Sequence, residues 1–101
     1  MKTFEFWFDF GSPAAYLAFT QIPQIEAETG AKAIYHPMLL GGVFQATGNQ
    51  SPAAIPAKGK YIFDDFNRFS KRYDVPFSNN PHFPINTLLL MRGAAGLQQQ
   101  Q

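Results

Sequence analysis

Phe8-Asp9-Phe10-Gly11-Ser12-Pro13-Ala14-Ala15-Tyr16-Leu17 is the stretch that decides the fold. Upstream of it, Phe4, Phe6, Phe8 and Phe10 alternate with Glu5, Trp7 and Asp9, the period of two of a strand with one apolar face. At Gly11-Ser12-Pro13 the signal changes. Serine is a preferred helix N-cap, and proline suits the first helical position, where its missing N–H costs nothing. A helix therefore begins after Ser12, with Tyr16, Leu17, Phe19, Ile22 and Ile25 at helical spacing. Pro23 is expected to kink it, and Gly30 to close it as a C-cap. Lys32 to His36 reads as a second strand, which makes a βαβ unit with parallel strands.

Met38 to Thr47 is expected to be a loop with one or two helical turns, and Gly48 to Pro56, with two prolines, an ordered connector. From Lys58 to Tyr73, Ile62, Phe66, Phe69 and Tyr73 recur at i, i+4, i+7 and i+11 among charged residues, an amphipathic helix. Pro76 to Pro84 reads as a turn-rich loop. Thr87 to Ala95 reads as a more apolar helix ending near Gly96, followed by a frayed glutamine tail. The organisation expected is an N-terminal βαβ part over 1–37, a connector and helical region over 38–97, and the tail over 98–101.

A chain of 101 residues organises a single hydrophobic core. Hydrophobic residues make up 46% and charged residues 15%, a balance that excludes intrinsic disorder. A net charge of +1 supplies no field to attract nucleic acid or an anionic membrane. No apolar run reaches the roughly 20 residues that span a bilayer, so a cytoplasmic location is expected. Eleven Phe, four Tyr and one Trp are a heavy aromatic load, more often spent on core packing than on a ligand. Cysteine is absent, which removes disulfides, thiolate metal sites and cysteine nucleophiles.

A strand running into a helix N-terminus directs unpaired N–H groups and the positive end of the helix dipole at one point, and Ser12 stands there. Ser12 is either simply the N-cap or also a hydroxyl that donates to a bound thiolate. His36 and His82 lack the spacing of a metal site, and Asp64-Asp65 diverge on a helix rather than face one reacting atom.

Phe-Asp-Phe-Gly-Ser-Pro-Ala-Ala-Tyr-Leu resembles the start of the 2-hydroxychromene-2-carboxylate isomerases and kappa-class glutathione transferases. The resemblance continues through Leu40-Gly41-Gly42-Val43-Phe44, Gly48-Asn49-Gln50-Ser51-Pro52, Pro56-Ala57-Lys58-Gly59-Lys60-Tyr61 and Phe83-Pro84-Ile85-Asn86-Thr87-Leu88. It implies an α/β, thioredoxin-like fold with an inserted helical region and glutathione as the cofactor. It also implies a small aromatic substrate. With only the N-terminal part of the family's domain, the strand from Phe4 to Phe10 is expected to keep an unpaired edge and an uncovered Phe-rich face. Such surfaces favour aggregation or a homodimer. The charge balance points to neither nucleic acid nor membrane as partner. Ser12 matches the serine that contacts the glutathione sulfur, Asn49 an asparagine beside the glutathione site, and Lys58 a lysine that contacts the tripeptide. Asn49 reads equally well as a turn residue, and Lys58 as a solvated helix-start residue.

Phe10 and Phe44 are candidates to pack a flat substrate. Some isomerases of the family carry a lysine near the position of Phe44 to hold the substrate carboxylate, a role closed to a phenyl ring. The family also continues into further helices, a strand preceded by a cis-proline and a terminal helix, so the resemblance covers its N-terminal part and suggests a truncated domain. The activity implied is glutathione-dependent cis-trans isomerisation, the alternatives being a kappa-like transferase and a catalytically silent fragment or interaction module. Disulfide exchange is not expected, because the first and fourth positions of the helix-head motif are Ser12 and Ala15.

Overall fold

A computed structural model describes residues 2–78 and 86–99. Strand β1 (Thr3–Phe8), helix α1 (Pro13–Thr29) and strand β2 (Lys32–Pro37) form the expected βαβ unit, with the strands parallel and Phe4, Phe6 and Phe8 opposite Ala33, Tyr35 and Pro37. Helix α1 is capped at both ends as the sequence dictates. Ser12 Oγ accepts from the Ala15 N–H at 3.1 Å, and Gly30, at φ 72°, donates its N–H to the Glu26 carbonyl. That left-handed φ is the reason glycine ends the helix. The helix runs through Pro23 without interruption.

After β2 come helix α2 (Leu40–Thr47), a short 3-10 turn (Pro52–Ala54), helix α3 (Pro56–Tyr73) and helix α4 (Leu88–Gln99). Together with the βαβ start they give the mixed α/β architecture expected. Four boundaries differ from the sequence expectation. Strand β1 stops at Phe8 rather than Phe10, because the Asp9 carboxylate takes the N–H groups of Gly11 and Leu40 and turns the chain out of the ladder. Strand β2 runs one residue past His36, through Pro37, while helix α2 supplies the two turns expected of its segment. Helix α3 starts two residues early, with Pro56 at its first position.

Helix α4 passes Gly96, and Gln98 belongs to it rather than to a frayed tail. Its Nε2 donates to the Tyr35 carbonyl of β2 at 2.6 Å. The turn-rich loop over 76–84 and His82 lie partly or wholly outside the described residues, as do the last two glutamines.

The core is thin. Leu17, Ile22 and Met91 are the buried hydrophobics among the described residues. The phenylalanines form a half-exposed layer instead: Phe6 stacks on Phe8 at 5.8 Å, and Tyr35 meets Phe6 edge-on at 6.0 Å. Phe10 and Phe19 are 60% and 51% exposed, so the core-packing expectation fails for them. Helix α3 is tied to α1 through the loop that follows it, where Tyr16 donates its hydroxyl to the Pro76 carbonyl at 2.5 Å and stacks on Phe77. Among the described residues no helix is long and apolar enough to cross a membrane.

Candidate active site

The loop from Asp9 to Ser12 links the end of β1 to the head of α1, and its geometry is set by hydrogen bonds at each step. The Ser12 N–H donates to the Asp9 carbonyl at 2.9 Å, and the Ser12 carbonyl accepts from Tyr16 at 3.1 Å, starting the helix. Ser12 has the extended backbone of an N-cap, φ −93° and ψ 112°. Its Oγ accepts from Ala15, so the cap reading is realised. A hydroxyl that accepts one bond keeps its own proton to donate, which leaves Ser12 able to serve a ligand at the positive end of the α1 dipole.

Asp9 lies beneath this loop and is only 5% exposed. Oδ1 accepts from the Gly11 N–H at 2.8 Å and from the Thr87 hydroxyl at 2.6 Å, and Oδ2 accepts from the Leu40 N–H at 2.9 Å. A buried carboxylate is costly unless its oxygens find donors. Here three segments supply them.

Ser12 faces a cavity of about 760 Å³, within the usual range of small-molecule sites. One wall is the head of α1, a second is Leu39–Gly42 with Phe44, a third is the 3-10 turn, and α3 closes the side with Gly59, Ile62, Phe63 and Phe66. Gly59 admits the close approach of the 3-10 turn, since a Cβ there would sit 3.3 Å from Ala53 Cα. A second hollow of about 320 Å³ borders Ser12 from the sheet side and is lined by Phe6, Phe8, Phe10, Tyr16, Phe19 and Tyr35.

The structure thus brings Ser12 and Phe44 to one cavity and puts Phe10 on the other. Asn49 and Lys58 are exposed and outside the described lining, although Ser51 and Gly59 close to them in sequence belong to it. Asn49 Oδ1 accepts from the Gln50 N–H at 2.9 Å, and its own N–H donates to the Phe44 carbonyl. Lys58 stands in the first turn of α3. Asp9 and Thr87 were not singled out by the pattern of the sequence. Alternation assigns Asp9 to the outward Glu5–Trp7 face, whereas an Asx turn onto Gly11, two residues on, was the available signal for it.

A DSBA-like thioredoxin domain profile matches residues 3–101. The chain belongs to the DSBA-like thioredoxin family. This DSBA-like chain is 35% identical over 80 residues to glutathione S-transferase kappa 1 of Caenorhabditis elegans, covering 78% of the chain and 35% of the relative. It is 34% identical over 79 residues to 2-hydroxychromene-2-carboxylate isomerase of Sphingobium xenophagum, covering 76% of the chain and 40% of the relative. A solved structure of 2-hydroxychromene-2-carboxylate isomerase superposes with a TM-score of 0.71 at 27% identity, over 81% of the DSBA-like chain and 41% of that structure. The DSBA-like chain therefore spans well under half the length of these relatives.

Proposed function

We propose that the chain carries the thiol-contacting part of a glutathione-dependent isomerase of the 2-hydroxychromene-2-carboxylate type. The observation that carries this reading is Ser12: a hydroxyl with a spare proton, at a helix N-terminus, on the wall of a largely apolar cavity. These features fit the sulfur end of glutathione, which needs a donor and a positive potential in a site with little water. Glutathione, when bound, supplies a thiolate whose reversible addition turns a carbon–carbon double bond into a single bond free to rotate. Ser12 donates its hydroxyl proton in a hydrogen bond to the sulfur, and the α1 dipole favours negative charge there. Phe44 and the apolar wall of α3 pack a flat aromatic substrate. Asn49 and Lys58, exposed and outside the lining, are assigned as the amide and ammonium that meet the peptide backbone and carboxylates of the tripeptide.

A second reading, a kappa-like transferase, is favoured by one feature. Phe44 presents a phenyl ring to the cavity, and Asp9 and Asp65 are the charged residues among its described lining. Such a wall suits an uncharged electrophile better than a carboxylate.

The experiment is a comparison of the chain with its Ser12→Ala variant in the presence of glutathione, following the thiolate absorbance against pH and the fate of glutathione with an aromatic substrate. Loss of the hydroxyl should raise the pH at which the bound thiol ionises and slow turnover by on the order of 10². Isomerisation returns free glutathione, whereas transfer consumes it. An unchanged thiol titration in Ser12→Ala would leave Ser12 a helix cap alone.

A further inference from the structure

The nearly buried carboxylate of Asp9 borders the cavity but takes no part in the chemistry proposed above, yet it is the most heavily bonded side chain near the site. Its three donors come from three places: Gly11 in the Ser12 loop, Leu40 at the head of α2, and Thr87 at the entry to α4, 78 residues away. Thr87 is itself only 3% exposed, and its carbonyl starts α4 by accepting from the Met91 N–H at 2.8 Å. Met91 in turn lies with Sδ 3.3 Å from the Phe10 N–H. The start of α4 therefore supports the Ser12 loop at two adjoining points, Asp9 through Thr87 and Phe10 through Met91.

We infer that Asp9 and Thr87 form a positioning pair that fixes Ser12 relative to the α2 wall of the cavity. Oδ1 holds the loop and Oδ2 holds α2, so one rigid carboxylate group sets the separation of two walls. Only a carboxylate can do this. An asparagine has a single acceptor oxygen, so it would meet either the Gly11 or the Leu40 N–H with its own N–H groups. The Thr87 hydroxyl selects the orientation of the carboxylate, and without it Oδ1 keeps a single donor in a buried place.

The role of this pair rests on the reading of Ser12 as the residue that meets the thiol, but its existence can be tested in the free chain. Thr87→Val removes the hydroxyl at nearly constant shape, and Thr87→Ser restores it. Amide hydrogen exchange should accelerate in Thr87→Val at Gly11, Ala15 and Leu40, on the order of tenfold for the loss of one buried hydrogen bond. Phe69, within α3, should keep its rate, and Thr87→Ser should return the three amides to theirs. Asp9→Asn should accelerate Gly11 or Leu40 exchange in the same way.

Unchanged rates at Gly11 and Ala15 would overturn the proposal. So would an equal rise at Phe69, which would make the effect global, or failure of Thr87→Ser to restore the rates. A glutathione titration then separates this inference from the function. If Ser12→Ala leaves the thiolate absorbance unchanged, the thiol reading fails while the exchange result still stands or falls alone. If Ser12→Ala alters the absorbance and Thr87→Val does not, the pair holds no part of the site and the inference is wrong.

Discussion

The imidazole of His36 lies nearly flat on the indole of Trp7, with ring centroids 4.3 Å apart and planes 18° from parallel, across the β1–β2 pair. Nε2 is buried, has no hydrogen-bond partner, and stands 3.3 Å from Glu5 Oε1. The stack covers one face of the single tryptophan of the chain. His36→Ala should uncover that face and shift Trp7 emission to longer wavelength, whereas His36→Phe, which keeps an aromatic ring in place, should leave it near its original position. The same emission maximum in His36→Ala as in the parent chain would show that the ring does not shield the indole.

Ser12→Ala should also lower global stability by about 1 kcal/mol, because the Ala15 N–H loses its acceptor. Ser12→Asp should retain most of that stability, since aspartate caps as well as serine. Denaturant midpoints at constant slope measure both. Equal losses in the two variants would show that the cap bond contributes nothing.

Two glycines should respond oppositely to alanine. Gly93, in the middle of α4, has open space where a Cβ would go, so Gly93→Ala should stabilise the chain by about 0.5–1 kcal/mol through helix propensity. At Gly59 the added Cβ would meet backbone of Ala53 at 3.3 Å, so Gly59→Ala should forfeit that gain and displace the 3-10 turn that walls the cavity. Thermal melts of the two variants side by side decide the point.

A homodimer is proposed to form over the aromatic side of the sheet, where Phe10 and Phe19 are exposed beside Tyr35. Contiguous apolar surface of this kind drives association. Phe10→Ser with Phe19→Ser should shift the sedimentation coefficient toward the monomer while leaving stability within about 0.5 kcal/mol per site, as for other surface changes. A chain already monomeric at high concentration would remove the premise.

The elements legible in the sequence are those whose signals are local. Ser12, Pro13 and Gly30 announce the ends of α1 through capping geometry, and Ile62, Phe66, Phe69 and Tyr73 announce α3 through period alone. What escaped depends on partners far along the chain. Asp9 continues the alternation of β1, its one local signal is the Asx turn onto Gly11, and the donors that complete its buried place, Leu40 and Thr87, lie far along the chain. Gly96 looks like a helix stop, but the reach of Gln98 to Tyr35 accompanies a helix that continues past it. Near the candidate site, the place of Ser12 at the head of α1 is legible from local capping chemistry. The division of Phe10 and Phe44 between two hollows required the walls themselves.

The bond between Thr87 and Asp9 also bears on the order in which the molecule takes shape. Its two ends are 78 residues apart, and the entropy of closing a loop grows with its length, so contacts of this separation form slowly compared with a helix turn or the β1–β2 crossover. Helix α1 can acquire its cap as soon as Ser12 and Ala15 meet. The Ser12 loop reaches its final setting only when the entry to α4 arrives beneath it. The setting of Ser12 is thus tied to completion of the fold: a chain in which the βαβ unit alone has formed has the capped serine but not the contacts that hold its loop.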